Sequence, residues 1–336
     1  MSYKIALGLE SSPQEIATYL AHRKVLPNQT ASGYIEKPGE GNMNLVIRYR
    51  WENGSLILKQ SKPYVNKYPS IPAPQERIAT EAIFYQYASQ SAELLARMPE
   101  VLHYDADNHL IVMQDLGVGK DFTHLYRKDQ QISDETLHEL LFFLRQLHGL
   151  DLSQADKDRF PDNLKLRQLN HQHIFVLPYD ENNGFDLDQI QEGLGALAVP
   201  YTQDQALKKA IYQLGEQYLS VGSVLIHGDY YPGSWMLSEE QGLRIIDPEF
   251  GFIGPAEFEL GVLIAHLLMC GLSLEPIQSA IATHYQSDDS FDLTMAGRFA
   301  GVEIMRRIIG IAQLPLDMTV NEKSDLLAQA RNLILQ

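Results

Sequence analysis

The sequence holds a single cysteine, Cys270, in the apolar run LGVLIAHLLMC. A disulfide framework and a cysteine-based zinc site are therefore excluded within the chain. Cys270 reads as a small core residue rather than a nucleophile. Basic residues are also scarce: 27 lysines and arginines against 43 aspartates and glutamates leave a net charge of −16. Such a surface argues against nucleic acid or an anionic membrane as partner, since each calls for a basic patch. It sets no bar on a local basic pocket. Long apolar runs are missing, and no window approaches the roughly 18 residues of a membrane span. The start, MSYKIALGLESSPQEIATYL, lacks the basic and apolar regions of a secretory signal. A soluble, cytoplasmic protein is expected, with no nucleic acid and no membrane as partner. Internal repeats and low-complexity segments are absent as well.

What is present is 336 residues, 45% hydrophobic and 21% charged, enough for two lobes with cores of their own. Residues 10–22 have helical spacing, with Ser11 or Ser12 as cap and Glu15 in the first turn. The next stretch alternates and turns, and Asn53-Gly54 between two β-rich runs signals a hairpin. Helical spacing returns after the prolines of IPAPQERIATEAIFYQYASQSAELL, followed by two short strands around Asp105 to His109. From Gly117 the chain turns helical, with Ser133 capping SDETLHELLFFLRQLHGL. Helical patterns recur near 203–219, 257–272, 292–313 and 321–335. The expected fold is α+β and two-lobed. A small antiparallel β lobe covers 1–116, a connector runs from Met113 to Gly119, and a larger, mainly helical lobe covers 117–336.

The chemistry concentrates in LIHGDYYPGSWMLSEEQGLRIIDPEFGFIGPAEFELG. Asp229, in His227-Gly228-Asp229, is followed after four residues by Ser234, then a hairpin with its turn at Ser238 to Gly242, then Asp247-Pro248-Glu249. Phosphoryl transfer calls for one carboxylate to take or orient the acceptor's proton and another to carry the magnesium that bridges phosphate oxygens. Alone, His-Gly-Asp is a common turn and Asp-Pro-Glu a common helix start. Their order and spacing favour the catalytic reading. Upstream, Gly39 and Gly41 lie in a turn entering a strand, where backbone N–H groups can cover phosphates. Lys59, in LILKQ, suits the α- and β-phosphates, against the commoner fate of a surface lysine. Glu81, amid the apolar helical run, is favoured over Glu76 as its ion-pair partner, because an acid near the helix start is equally explained by the helix dipole. Backbone groups from Gln114 to Leu116 would bond an adenine edge. The histidines give no metal-ligand spacing, and HQH at 171–173 reads as a surface loop.

These residues resemble the aminoglycoside/choline-kinase-like phosphotransferases, and within them the 5-methylthioribose kinases. The loop HGDYYPGS is similar to the family's HGDLHTGS, and DPEF matches its metal motif. The similarity extends to GNMNLVIR, which adds Asn42 and Asn44 to the nucleotide set, to LILKQSKPYV, to VMQDLG and to the pattern from Asn163 to Tyr179. EIMRRIIGIAQL is similar to the family's arginine-pair helix. The resemblance implies ATP and Mg2+ as cofactors, Asp229 as catalytic base, and Ser234, Asp247 and Glu249 around the metal. It implies Arg306 and Arg307 as ligands of a small alcohol or sugar, with Tyr231 and Trp235 either beside them or simply core aromatics. It also implies a two-lobed, protein-kinase-like fold and a homodimer. Adjacent helical residues point about 100° apart, so both arginines reach one pocket only from the edge of their helix. Without the resemblance, a solvated basic face would be their default. Tyr230-Tyr231-Pro232 departs from Leu-His-Thr, LNHQHIF lacks the Thr-Glu pair, and the chain is short for the family. These differences lie where the acceptor would sit. The expected activity is ATP-dependent phosphorylation of 5-methylthioribose or a similar sugar. The alternatives are an amino-alcohol or aminoglycoside kinase and an inactive nucleotide-binding regulator.

Overall fold

The computed structural model of the chain describes residues 4–27, 33–39, 43–285 and 291–336. They divide into two compact units, one built from Met1–Gly119 with Ser238–Phe250, the other from Lys120–Leu237 with Gly251–Gln336. The short return of 238–250 to the first unit lies within the segment that the sequence assigned to the helical lobe.

The first unit is organised by an antiparallel sheet in the order Tyr34–Glu36, Leu45–Trp51, Gly54–Gln60, Leu110–Gln114, Val101–Asp105. Side chains alternate across a strand, and the sequence uses the two faces differently. Ile47, Tyr49, Leu56, Leu58, Leu110 and Val112 point to one side and close a core with Ile16, Tyr19 and Leu20 of the helix Pro13–His22. The other side carries Lys59, paired across the strands with Val46 and Ile111. A register slip of one residue would send that lysine into the core. The hairpin signal at Asn53-Gly54 is displaced by one: Trp51 pairs with Gly54, so Glu52 and Asn53 make the turn. A Cβ on Gly54 would lie 2.8 Å from Cζ2 of Trp51, so the glycine makes room for the indole.

The second unit is mainly helical. Ser133 caps the helix Asp134–His148 by accepting from the N–H of Thr136. The helices Gln205–Leu219, Ala256–Met269, Leu293–Ile309 and Val320–Leu335 stand where the apolar periodicity places them. An antiparallel strand pair in this unit, Val224–Ile226 with Phe252–Gly254, escaped the sequence reading. Its strands are three residues each and almost wholly buried, so they show no alternation. His171 and His173, expected in a surface loop, lie instead on successive helical turns, Leu164–His171 and Gln172–Val176. Cys270 ends the helix Ala256–Met269 partly exposed, and burial pushes its thiol up to about 12. Among the described residues, no helix is long and apolar enough to cross a membrane.

The helix Leu293–Ile309 is nearly all buried between Ala256–Met269 and Val320–Leu335. Close approach is made possible by two glycines. A Cβ on Gly261 would meet Cβ of Phe299 at 2.5 Å, and one on Gly301 would meet the carbonyl of Ala330 at 2.5 Å. Gly301→Ala is therefore expected to destabilise by about 1–3 kcal/mol through overpacking. Gly297→Ala, whose Cβ would meet only Cδ2 of Leu333 at 3.5 Å, is expected to gain up to about 1 kcal/mol of helix propensity. Thermal or urea unfolding of the two variants decides the matter; equal stabilities would refute the packing account.

Candidate functional site

In the first unit the strand Gly54–Gln60 delivers Lys59 to the helix Arg77–Ala88. Its Nζ lies 2.7 Å from Oε2 of Glu81 and 2.8 Å from Oδ1 of Asp247. Lys59 and Glu81 are buried, whereas the Asp247 side chain is 50% exposed. Burial opposes the lysine's charge, but Asp247, then Glu81 and Glu249, hold its ammonium above the ordinary lysine value. Burial pushes the Glu81 carboxyl up against the pull of Lys59. Asp247 has φ +64°, in the left-handed region, immediately before Pro248. Such a conformation costs about 1–3 kcal/mol and persists where surrounding contacts enforce it.

Behind Asp247, Glu249 is buried on the turn Pro248–Phe250, which packs on the helix Arg77–Ala88. Its Oε2 accepts from Nδ2 of Asn44 at 2.8 Å and lies 3.4 Å from Nε of Arg77. Arg77, fully buried, also donates to Oδ1 of Asn44 and to the carbonyls of Lys62, Pro74, Met43 and Tyr64. Burial raises the Glu249 carboxyl, with Lys59 and Arg77 pulling it down. The side chain of Asn44 thus bridges Arg77 and Glu249. Sequence reasoning missed Arg77. The available signal was a cation in the first helical turn, where the helix dipole disfavours it.

Gly41 and Asn42 lie outside the described residues. At Gly39 a Cβ would meet nothing within 4 Å. In the connector, Gln114 pairs with Leu56 in the sheet, and the carbonyl of Leu116 accepts from Oγ of Ser238 at 2.7 Å. Between them, Asp115 takes Nε of Arg48 at 2.8 Å and Oγ of Ser55, so this segment is fixed from both sides.

In the second unit the turn at His227-Gly228-Asp229 hangs on a buried acid that the sequence did not reveal. The N–H groups of His227 and Gly228 donate to Oε2 and Oε1 of Glu259, at 2.7 and 2.8 Å. Gly228 has φ +83°, a conformation glycine adopts at little cost. Ser234 closes the loop from the other end, its Oγ donating to the carbonyl of Asp229 at 2.8 Å. Trp235 is a core residue: it is fully buried against Tyr230 and Phe122 and has no surface to offer a substrate. The core-aromatic alternative describes it.

The Asp229 carboxylate faces the arginine pair. Its Oδ1 is 3.7 Å from Nη2 of Arg307 and 3.9 Å from Nη2 of Arg306, beyond hydrogen-bond reach. The two adjacent helical residues converge because Glu303, one turn earlier, takes Nε of Arg306 at 2.6 Å and Nε of Arg307 at 2.7 Å. Their Nη2 atoms are turned toward Asp229, while Nη1 of Arg306 donates to Oδ1 of Asn170 at 3.4 Å and Nη1 of Arg307 to the carbonyl of Ala312 at 3.3 Å. Burial works against Glu303, but Arg306 and Arg307 hold its carboxyl well below the usual range. Burial pushes Asp229 up, against the opposite pull of Arg307 and Arg306. The Tyr231 ring lies under the guanidinium of Arg307, 5.1 Å away.

Three carboxylates, Glu81, Asp247 and Glu249, face two cations, Lys59 and Arg77, in the first unit. The surplus negative charge and the hard oxygen donors of Asp247 and Glu249 suit magnesium. Among the described residues, no three His, Cys, Asp or Glu side chains gather to hold a metal by themselves. Magnesium does not require that, because it takes one or two protein carboxylates and completes its shell with phosphate oxygens and water.

The sequence profile of the phosphotransferase enzyme family matches residues 35–289. A methylthioribose kinase of Yersinia pseudotuberculosis is 32% identical over 248 residues, which are 70% of this chain and 59% of that protein. One of Pectobacterium atrosepticum is 30% identical over 288 residues, 79% of this chain and 68% of that protein. The match thus spans about three fifths of the length of the Yersinia relative. Spectinomycin phosphotransferase, in its crystal structure with ADP and spectinomycin, superposes with a TM-score of 0.54 at 13% identity, over 97% of this chain and 98% of that one. A choline kinase of Streptococcus pneumoniae gives 0.51 at 12%, over 96% and 98%. The fold is the kinase-like one of these proteins, an antiparallel β unit and a mainly helical unit.

Breaking a buried ion pair by removing one partner costs about 3–5 kcal/mol, because a charge is left buried and unmatched. Lys59→Met is expected to lose stability on that scale, and Lys59→Met with Glu81→Leu to recover most of it. Denaturant titration of both variants measures the difference. Equal loss in the single and double variants would refute the pairing.

Proposed function

Because this chain belongs to the phosphotransferase enzyme family, we propose that it is an ATP-dependent kinase acting on a hydroxyl of a small molecule, methylthioribose or a similar sugar. The observation that carries the reading is Asp229 facing two guanidinium groups that Glu303 pins by their Nε atoms. Asp229 takes the acceptor's hydroxyl proton as the oxygen attacks phosphorus. The Nη2 atoms of Arg306 and Arg307, which face Asp229, hold the acceptor and offset charge on the transferring phosphoryl group. Lys59, held by Glu81, meets the nucleotide phosphates. Asp247, with Glu249 behind it, would hold magnesium, which neutralises phosphate oxygens when bound. The relatives from Yersinia and Pectobacterium support the sugar. A cationic amino alcohol is disfavoured, since two guanidinium groups face the one carboxylate of Asp229. An inactive regulator is disfavoured by the retention of Asp229, Asp247 and Lys59 together.

The test is ADP release with ATP and magnesium across methylthioribose, ribose, choline and an aminoglycoside. Release with the sugars alone is expected, and Asp229→Asn should lower kcat by about 10²–10⁴-fold. Turnover of choline or the aminoglycoside but of no sugar would overturn the acceptor class, and no turnover of any would overturn the kinase. The pH profile carries a second expectation. A protonated Asp229 cannot take the proton, and burial raises its pKa. The acid limb of kcat/KM should therefore lie above an ordinary aspartate's value of about 4. Arg307 lowers that pKa, so Arg307→Met should move the limb further up; a downward move would contradict the assignment.

A further inference from the structure

Behind the arginine pair lies a chain of buried polar groups with no part in the chemistry just described. His266, on the helix Ala256–Met269, is completely buried. Its Nε2 is 3.1 Å from Oε1 of Glu303, and its Nδ1 is 2.7 Å from the hydroxyl of Tyr126. The direction of this chain follows from charge. Glu303, matched by two guanidinium groups, is ionised and can only accept. Nε2 must therefore carry a hydrogen, and because burial holds the imidazole neutral, lowering its pKa to about 4, Nδ1 is left to accept from Tyr126. The Tyr231 ring packs on the imidazole at 5.4 Å between centroids and also lies under Arg307. Oε1 of Glu303, which receives Nε2–H, is the same oxygen that holds Nε of Arg307.

We propose that Tyr126 and His266 are positioning residues of the acceptor site. The relay Tyr126–His266–Glu303 sets the plane of the Glu303 carboxylate, and through it the direction in which Arg306 and Arg307 present their terminal nitrogens to Asp229. A carboxylate with two arginines on one side and nothing on the other could rotate about its last bond and release one Nε. The imidazole N–H on Oε1 removes that freedom. Neither Tyr126 nor His266 touches the reacting atoms in this account. The proposal rests on the kinase reading for its kinetic test only.

Two variants of His266 separate the relay from mere packing. The side-chain amide of Gln reaches the place of Nε2 and can donate to Glu303; that of Asn reaches only the place of Nδ1. His266→Asn is expected to lower kcat/KM for the acceptor by about 10²-fold, the scale of a misplaced catalytic group, with KM for ATP unchanged. His266→Gln should stay close to wild type. Tyr126→Phe should lose roughly two- to tenfold, as for one neutral hydrogen bond. The second readout needs no turnover: the side-chain Nε–H resonances of Arg306 and Arg307 in nitrogen-15 NMR. They should shift in His266→Asn and hold in His266→Gln. Wild-type kinetics and unshifted resonances in His266→Asn would overturn the proposal. So would an equal fall of both variants with KM for ATP rising alike. If the wild-type chain turned over no acceptor, the kinase reading would fail, and the resonances would still decide the relay.

Discussion

One carboxylate, Glu303, decides what two neighbouring cations can do. Arg306 and Arg307 are both nearly buried, on a helix packed on two sides by other helices. Two unmatched guanidinium groups in such a place would cost several kcal/mol each in lost hydration. Glu303 matches them through their Nε atoms, Asn170 and the carbonyl of Ala312 take their Nη1 atoms, and Nη2 of each is left facing Asp229. The same contact supplies the convergence that two successive helical residues lack by themselves. Gly261 and Gly301 matter to this arrangement as well. By letting three helices approach closely, they bury the stretch that carries the arginines, so the pair emerges from the core rather than from a mobile surface turn.

The first unit solves the opposite problem. There carboxylates are in excess, and Lys59 and Arg77 are the fixed cations among them. Glu81 and Glu249 are buried and committed, whereas Asp247 is half exposed on a backbone forced to positive φ. Of the three carboxylates Glu81, Asp247 and Glu249, Asp247 alone has a positive φ, and it is the exposed one. Contacts on either side of Asp247, from Lys59 and from the Glu249 network, hold the turn in that shape.

Much of this was legible in the sequence because it is written in local pattern. The cap at Ser133, the helical periodicities, Lys59 on its strand and the order Asp229, Ser234, Asp247 need only neighbours to be seen, whereas Ser12 stands at the start of its helix without a side-chain cap bond. What stayed hidden is of another kind. Glu259, Glu303, His266 and Arg77 are polar residues inside otherwise apolar or ordinary helical stretches. Their meaning lies in a partner far along the chain: Glu259 serves a turn 32 residues earlier, and His266 serves an acid 37 residues later. No spacing rule marks such pairs. Trp235 and Asn44 stand beside motif residues, and adjacency in sequence suggested a shared task. In the fold Trp235 packs into the core, and Asn44 props up Glu249. The strand pair at 224–226 and 252–254 was missed because burial on both faces erases alternation.

The excursion of Ser238–Phe250 has a consequence for the order of synthesis. Lys59 precedes Asp247 by 188 residues, so at about 5–20 residues per second a ribosome takes roughly 10–40 s to supply the second. During that interval the nascent first unit can form its sheet and pair Lys59 with Glu81. Arg77 has no Glu249 to meet, and the turn carrying Asp247 does not yet exist. By the time those acids arrive, the stretch bearing Asp229 has already been made. The part of the molecule that reads first in the sequence is therefore among the later parts to be completed, and a message cut short before that turn yields neither carboxylate.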